Sequence, residues 1–309
     1  MVLKNPELSI NGKEFIWGSR TYVMGILNVT ADSFSGDGLL STDQLDDSFS
    51  KQKISDIVEE TILKARKFLS SGADILDIGG ESTRPGSRQI GVKEELRKVI
   101  PIIEAISAEL DAVLSIDTYK AAVAEAALKA GAHVINDVWG LKADENMAGV
   151  AAKHNAPVIL MHNRSSWAHA EIKSKLGGRY IGMEYNNLIQ DIKTELSLSI
   201  STALEAGVPN RNIIIDPGIG FGKTVEQNFE LVDRLDEFRS LGYPVLFGPS
   251  RKSFIGYTLD LPTDQRVEGT AAAISIGIDR GADIIRVHDV EYMVRVARIA
   301  DAVVRKSLQ

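Results

Sequence analysis

The chain has 309 residues, 44% hydrophobic and 25% charged, with no cysteine, a net charge of −7 and a sequence pI near 5.4. That balance speaks against nonspecific binding to nucleic acid or an anionic membrane, which wants a basic face, and it excludes disulfides, thiolate metal sites and cysteine nucleophiles. No apolar run approaches the roughly 18 residues of a membrane span and "MVLKNPELSI" lacks a secretory pattern, so a cytoplasmic soluble protein is expected.

Residues 1–20 read as a hairpin, "ELSI-NGK-EFIWG", turned at Asn11-Gly12. From residue 21 onward short β-branched runs recur in order: "YVMGIL", "DILDIG", "AVLSID", "HVINDV", "PVILMH", "NIIIDPG", "PVLFG" and "DIIRVHD", eight in all. Amphipathic segments of helical period lie between them. In "SDIVEETILKARKFLSS", Ile57, Ile62, Leu63, Ala65 and Leu69 gather near one face. A weak repeat, "GADILDI", "GAHVIND" and "GADIIRV", places Gly where a helix C-cap would precede each strand. Alternating strands and helices imply parallel pairing with right-handed crossovers. Eight such units predict an α/β fold, a closed (β/α)8 TIM barrel over 21–309 with the hairpin of 1–20 in the same single domain. A doubly wound open sheet is the alternative, but no strand runs into a GxGxxG turn. Two segments break the rhythm, 30–52 and 163–183, and both are read as long loops.

In a barrel the active site lies at the C-terminal strand ends. Those ends read Asn28-Val29-Thr30, then "GGESTRPG" with Glu81, Thr83 and Arg84, then Asp117-Thr118, Asn136-Asp137 and Met161-His162-Asn163. The last three are Asp216-Pro217-Gly218, Ser250-Arg251-Lys252-Ser253, and Arg286 with His288. Singly, each has a structural reading: Asp117-Thr118 as the cap of the following helix, His288 as a buried structural residue. Together, eight polar strand ends point to one functional rim.

Asp117 and Asp216, with Asn136 as both donor and acceptor, suit a flat heterocycle with adjacent N–H donors, such as an aminopyrimidinone. Lys252 answers a ring carbonyl or nitrogen, and Arg286 with His288 reads as an anion clamp. Met161 and Phe221 offer apolar faces to the ring, although Phe221 also reads as plain core. Asn28 is a candidate oxygen ligand for Mg2+. No His or Cys metal spacing and no GxSxG elbow occurs. "GIGFGK" (218–223) mimics half of a phosphate loop without its spacing.

The motifs "MGILNVTADSFS", "DIGGESTRPGS", "SIDTYKAAVAEAALKAGAHVINDV", "IIDPGIGFGKTVEQNFELV", "GPSRKSFIG" and "IIRVHDV" together resemble the dihydropteroate synthase family, from about residue 21 to the end. The resemblance implies a barrel that joins 6-hydroxymethyl-7,8-dihydropterin diphosphate to p-aminobenzoate, releasing pyrophosphate, in the folate pathway that sulfonamides inhibit. It implies a pterin pocket of Asp117, Asn136, Asp216 and Lys252, beside which Met161 and Phe221 are the expected apolar faces, and a diphosphate and Mg2+ site of Asn28, Arg286 and His288. Asp117, Lys252, Arg286 and His288 would carry the chemistry. Phe34, Thr83, Arg84, Pro85, Lys252 and Ser253 would form the p-aminobenzoate side. A homodimer through late helices is implied as well.

Two departures stand out. After Phe34-Ser35 the acid is displaced to Asp37, and the common Met-His-Met is here Met161-His162-Asn163, followed by an unusual segment. Arg251 is read either as a contact within the rim or as a substrate contact. Rival readings are a pterin-binding methyltransferase domain on the same barrel and a catalytically silent binding barrel.

Overall fold

The structure, a computed structural model, describes residues 4–29, 51–84, 86–166 and 169–306. The chain opens with β1 (Glu7–Ile10) and β2 (Lys13–Ile16), an antiparallel hairpin in register Glu7↔Ile16. Its turn residues Asn11 and Gly12 have φ of 49° and 70°, the doubly left-handed geometry that an Asn-Gly hairpin adopts.

The barrel strands then alternate with helices. The first half runs β3 (Tyr22–Asn28), α1 (Lys51–Ser70), β4 (Ile75–Gly79), α2 (Val92–Glu109), β5 (Val113–Asp117), α3 (Ala121–Ala130), β6 (Val134–Asp137) and α4 (Met147–Lys153). Next come β7 (Val158–Met161), a small antiparallel hairpin of β8 (Ala170–Lys173) and β9 (Gly177–Tyr180), and α5 (Leu188–Glu205). The last part runs β10 (Ile213–Asp216), α6 (Val225–Asp233), β11 (Leu246–Phe247), α7 (Ser253–Leu259), α8 (Val267–Asp279), β12 (Ile284–Val287) and α9 (Val290–Val304). The sheet order is β10-β7-β6-β5-β4-β3-β12-β11, every neighbouring pair being parallel. A parallel bridge between Ile215 and Val245 joins the two outer strands and closes the ring. This is the expected (β/α)8 barrel with its N-terminal hairpin.

Side chains alternate across each strand, so every second residue points into the barrel. The lowest inward layer is apolar and takes one residue per strand: Met24, Ile75, Val113, Val134, Ile159, Ile214, Leu246 and Ile284. The hairpin's Leu8, Ile10, Phe15 and Trp17 join the same buried cluster and close that end. Phe15 and Tyr22 rings lie 4.7 Å apart, in the range of favourable aromatic pairs. Two residues further along the strands the inward positions turn polar: Asp77, Ser115, Asn136, Asp216 and Arg286. One end is therefore plugged, and the other is polar and open.

Outward strand residues meet the helices. Val99, Ile102, Ile103 and Ile106 of α2 are buried in the main core, and their burial carries the helix through Pro101. The Gly-Ala repeats do end helical turns: Gly72, Gly131 and Gly281 have φ of 102°, 117° and 92°, conformations costly to any residue with a Cβ. The cap of α3 is not Asp117. Asp144 Oδ2 accepts from the Ala121 amide at 2.8 Å, which releases Asp117 for other work. The 163–183 segment, expected as a loop, contains the β8–β9 hairpin. The segment 30–50 lies outside the described residues. No described helix is long and apolar enough to cross a membrane.

Candidate active site

A cavity of about 570 Å³ opens at the C-terminal ends of the barrel strands. Every predicted site residue within the described part lines it: Asn28, Thr83, Arg84, Asp117, Asn136 and Met161 from the first five strand ends, and Asp216, Phe221, Lys252, Ser253, Arg286 and His288 from the last three. Phe34, Asp37 and Pro85 lie outside the described residues.

The floor is an ionic lattice. Arg286 Nε donates to Asp77 Oδ2 at 2.6 Å, and its Nη2 donates to Asp117 Oδ2 at 2.6 Å. Asn136 Nδ2 donates to the same Asp77 oxygen at 3.1 Å. One guanidinium thus fixes two carboxylates in the planar fork geometry that lysine could not reproduce. Burial pushes the Asp117 carboxyl up to about 7, Arg286 opposing the rise and Asp77 adding to it. Asp216 is also raised by burial, against the pull of Lys252. Its Oδ1 accepts the Gly218 amide at 2.7 Å, so its own loop holds it in place. These carboxylates are costly when charged and empty, and a ligand bringing N–H donors would relieve that cost.

The wall after β10 is the 218–223 segment, clasped by two lysines. Lys252 Nζ donates to the Ile219 carbonyl and lies 4.5 Å from the Phe221 ring centroid. Burial lowers its pKa to about 8, while Asp216 pulls the other way. From behind, the buried Lys223 Nζ contacts the carbonyls of Gly218 at 2.8 Å and Phe221 at 3.1 Å, and His162 Nδ1 at 3.1 Å. Burial and then Lys223 drive His162 down to about 3, so its ring is neutral. A Cβ at Gly218 would fall 1.8 Å from the His162 carbonyl oxygen, so only glycine fits there. Phe221 is half-buried and faces the cavity instead of the core.

At the mouth, Ser250 Oγ accepts the His288 amide at 3.1 Å and meets the ring Nδ1 at 3.0 Å. The hydroxyl proton can then serve Nδ1, which leaves the ring proton on Nε2. Burial, followed by the charges of Arg84, Arg251 and Arg286, holds His288 well below its usual pKa, so it acts as a neutral donor. Arg251 has a left-handed φ of 57°, a strain of about 1–3 kcal/mol for a side-chain-bearing residue. A two-pronged pair with Asp289, at 2.9 and 2.6 Å, and the Arg266 bond to its carbonyl at 2.9 Å hold it there. Arg251 is therefore anchored within the rim. Behind the second loop, Lys120 bridges the buried Glu81 and Glu95, and Tyr119 donates to Glu81 at 2.9 Å.

The pattern of the pterin binding enzyme family matches residues 42–288. The dihydropteroate synthase of Clostridium beijerinckii is 47% identical over 97% of this chain and all of its own. The chain belongs to the dihydropteroate synthases, within the pterin-binding enzymes. A dihydropteroate synthase of Clostridium difficile, solved in the presence of pteroic acid, superposes with a TM-score of 0.80 at 45% identity, covering 94% of this chain and 98% of that one. One from Xanthomonas albilineans, solved with 4-aminobenzoic acid, gives 0.82 at 36% identity, covering 97% and 98%.

Set in that family, the polar strand ends read from the sequence form one constellation. The strand-end rule passed over Asp77, which lies mid-strand, two residues beyond the apolar Ile75. An acid at an inward position of "ILDIG" was the available signal. Lys223 was visible only as a false phosphate-loop match, although a lysine in so apolar a setting needs partners. Tyr180 carried no signal, because the hairpin that places it has neither alternation nor an Asn-Gly turn.

Proposed function

We propose that this dihydropteroate synthase uses the cavity to condense 6-hydroxymethyl-7,8-dihydropterin diphosphate with p-aminobenzoate, giving 7,8-dihydropteroate and pyrophosphate. The observation that carries this reading is the Asp77–Arg286–Asp117 lattice with Asn136, facing Asp216 and Lys252 across one pocket. Asp117 and Asp216 accept N–H groups of the aminopyrimidinone edge, Asn136 can both accept and donate there, and Lys252 answers the ring carbonyl or nitrogen. Met161 and Phe221 cover the ring. Arg286 gives two nitrogens to Asp77 and Asp117, and its Nη1 has no partner among the described residues. That nitrogen and the His288 Nε2–H face the diphosphate and take up charge as it leaves.

The C–O bond between the exocyclic CH2 and the diphosphate breaks, its electrons leaving with pyrophosphate. The aniline nitrogen forms the new C–N bond at that carbon and loses a proton to the released anion or water. The lattice fixes the ring so that the exocyclic carbon faces the aniline, and the electron-rich dihydropterin stabilises the positive charge that develops there when bond breaking leads attack. Ser253, Thr83 and Arg84 form the side that receives p-aminobenzoate. For Mg2+ the donors present are slight: Asn28 offers one neutral oxygen, and no group of three His, Asp or Glu side chains suited to a metal occurs among the described residues. That fits an ion which keeps its waters and enters on substrate phosphates. Bound there, Mg2+ would neutralise charge on the leaving group.

The hairpin and barrel act as a single domain, in keeping with their shared apolar layer. A homodimer through α8 and α9 is part of the proposal, supported by the exposed Ile276, Tyr292, Ile299 and Val303 on those helices. The chain's cysteine-free composition suits the cytoplasm, where we place it. The test is pyrophosphate release by purified protein with both substrates and Mg2+, each omitted in turn. Protein that binds the pterin yet makes no dihydropteroate would sink the enzyme reading in favour of a silent barrel.

A further inference from the structure

The β8–β9 hairpin is unexplained by the pterin pocket, yet its end reaches the cavity. Tyr180, the last residue of β9, is buried and lines the pocket mouth. Its ring lies 6.0 Å from that of Phe221, tilted by 30°. Its hydroxyl donates to the Thr83 carbonyl at 2.8 Å. One side chain therefore ties the Phe221 segment to the second loop. Gly177 and Gly178, on the same strand, line the cavity without side chains and leave room beside that ring.

The hairpin is seated on three sides. Arg266 Nη2 donates to the Leu176 carbonyl at 2.8 Å while its Nη1 donates to that of Arg251 at 2.9 Å, which joins the hairpin turn to the β11–α7 turn. Arg179 stacks 4.3 Å from the Tyr257 ring of α7 and donates to Glu171 at 2.7 Å. On the second loop, a Cβ at Gly86 would fall 2.4 Å from Ile172 Cδ1. Glycine there lets the loop lie directly on the hairpin.

We propose that this hairpin is a wall of the aromatic-amine subsite and that Tyr180 is a specificity-determining residue for the second substrate. This rests on the condensation reading above. The ligand class is a single-ring aniline with an anionic tail. The paired rings of Tyr180 and Phe221 offer an apolar face against which a single aryl ring can lie, and Arg84, Lys252 and Ser253 at its border suit the carboxylate. The hydrogen bond from its hydroxyl to the Thr83 carbonyl opposes a swing of Tyr180 that would admit a wider ring.

The test compares wild type, Tyr180→Phe and Tyr180→Ala. Steady-state rates are measured against p-aminobenzoate and against 4-amino-1-naphthoate, an aryl amine with the same para spacing and a fused ring that widens it. Calorimetry measures p-aminobenzoate binding to protein loaded with 6-hydroxymethylpterin and pyrophosphate, and separately measures the pterin's own binding. Tyr180→Ala is expected to raise both KM and Kd for p-aminobenzoate about tenfold, the scale of losing one buried aromatic contact. Pterin Kd should stay within about twofold, and the naphthoate should gain relative to p-aminobenzoate. Tyr180→Phe, which keeps the ring, should restore most of the affinity. Unchanged p-aminobenzoate Kd in Tyr180→Ala, or an equal loss of pterin affinity, overturns the proposal. If wild type releases no pyrophosphate, the condensation reading fails, and the binding measurements still decide the role of Tyr180.

Discussion

Asp117→Asn separates what the site needs from what the fold needs. The substitution keeps size and removes charge from a buried carboxyl that accepts Arg286 Nη2 at 2.6 Å. If the carboxylate also accepts N–H groups of the pterin, its loss should weaken pterin binding by about 1.5–3 kcal/mol, or about 10- to 150-fold in Kd. Stability should move the other way. Burial raises the carboxyl from 3.8 to about 7, so between those values the folded state binds a proton that the unfolded state does not. Its contribution to stability is present below pH 3.8 and is lost as pH rises to about 7. The variant lacks that titration. Its melting temperature relative to wild type should therefore climb across this window and then level off. The assays are calorimetric titration with 6-hydroxymethylpterin and thermal melts from pH 4 to 8. Binding unchanged by the substitution removes Asp117 from the pocket. A melting difference that is flat with pH refutes the account of the buried charge.

Pterin affinity itself should peak in a narrow window: it weakens below about 7 as Asp117 takes a proton and above about 8 as Lys252 loses one, which titrations across pH would trace. Arg286→Ala should cost far more in diphosphate-ester binding than in free pterin binding. It should also lower stability by about 3–5 kcal/mol, because Asp77 and Asp117 lose their shared cation; equal losses for both ligands would argue against the clamp. Gly256→Ala would place a Cβ 2.1 Å from Arg266 Cζ. It should destabilise by about 1–3 kcal/mol in denaturant unfolding, and it should raise the p-aminobenzoate KM through the displaced Arg251 turn.

The barrel was legible because its grammar is local. Each strand is a short β-branched run, each helix has a face, and the Gly-Ala repeats fall at left-handed helix ends. The rim was legible because barrel topology brings eight separate strand ends to one place. What stayed hidden depends on partners far apart in the chain. Arg286 read as an anion clamp, but nothing local says that its guanidinium is pinned by Asp77, 209 positions away. The same limit applied to Arg251, whose anchor Asp289 lies 38 positions on. Its left-handed backbone also depends on Arg266 reaching its carbonyl.

The pinning of Arg286 changes how the site is understood. A lone arginine at the mouth would be a mobile counter-ion, and it would lose side-chain freedom on meeting a diphosphate. Here Asp77 and Asp117 hold the guanidinium before any ligand arrives, so that ordering is already in place. The arrangement has an electrostatic consequence. Two carboxylates share one cation in a buried floor, and burial first, with Asp77 adding to it, raises the Asp117 carboxyl. A pterin edge that donates N–H groups to Asp117 stabilises its charged form and lets the proton go. Pterin binding near pH 6 should then release a proton, readable as a dependence of the calorimetric heat on the ionisation enthalpy of the buffer. Heats that do not change with buffer would mean that the pterin meets a carboxyl already charged, which would refute the raised Asp117 carboxyl.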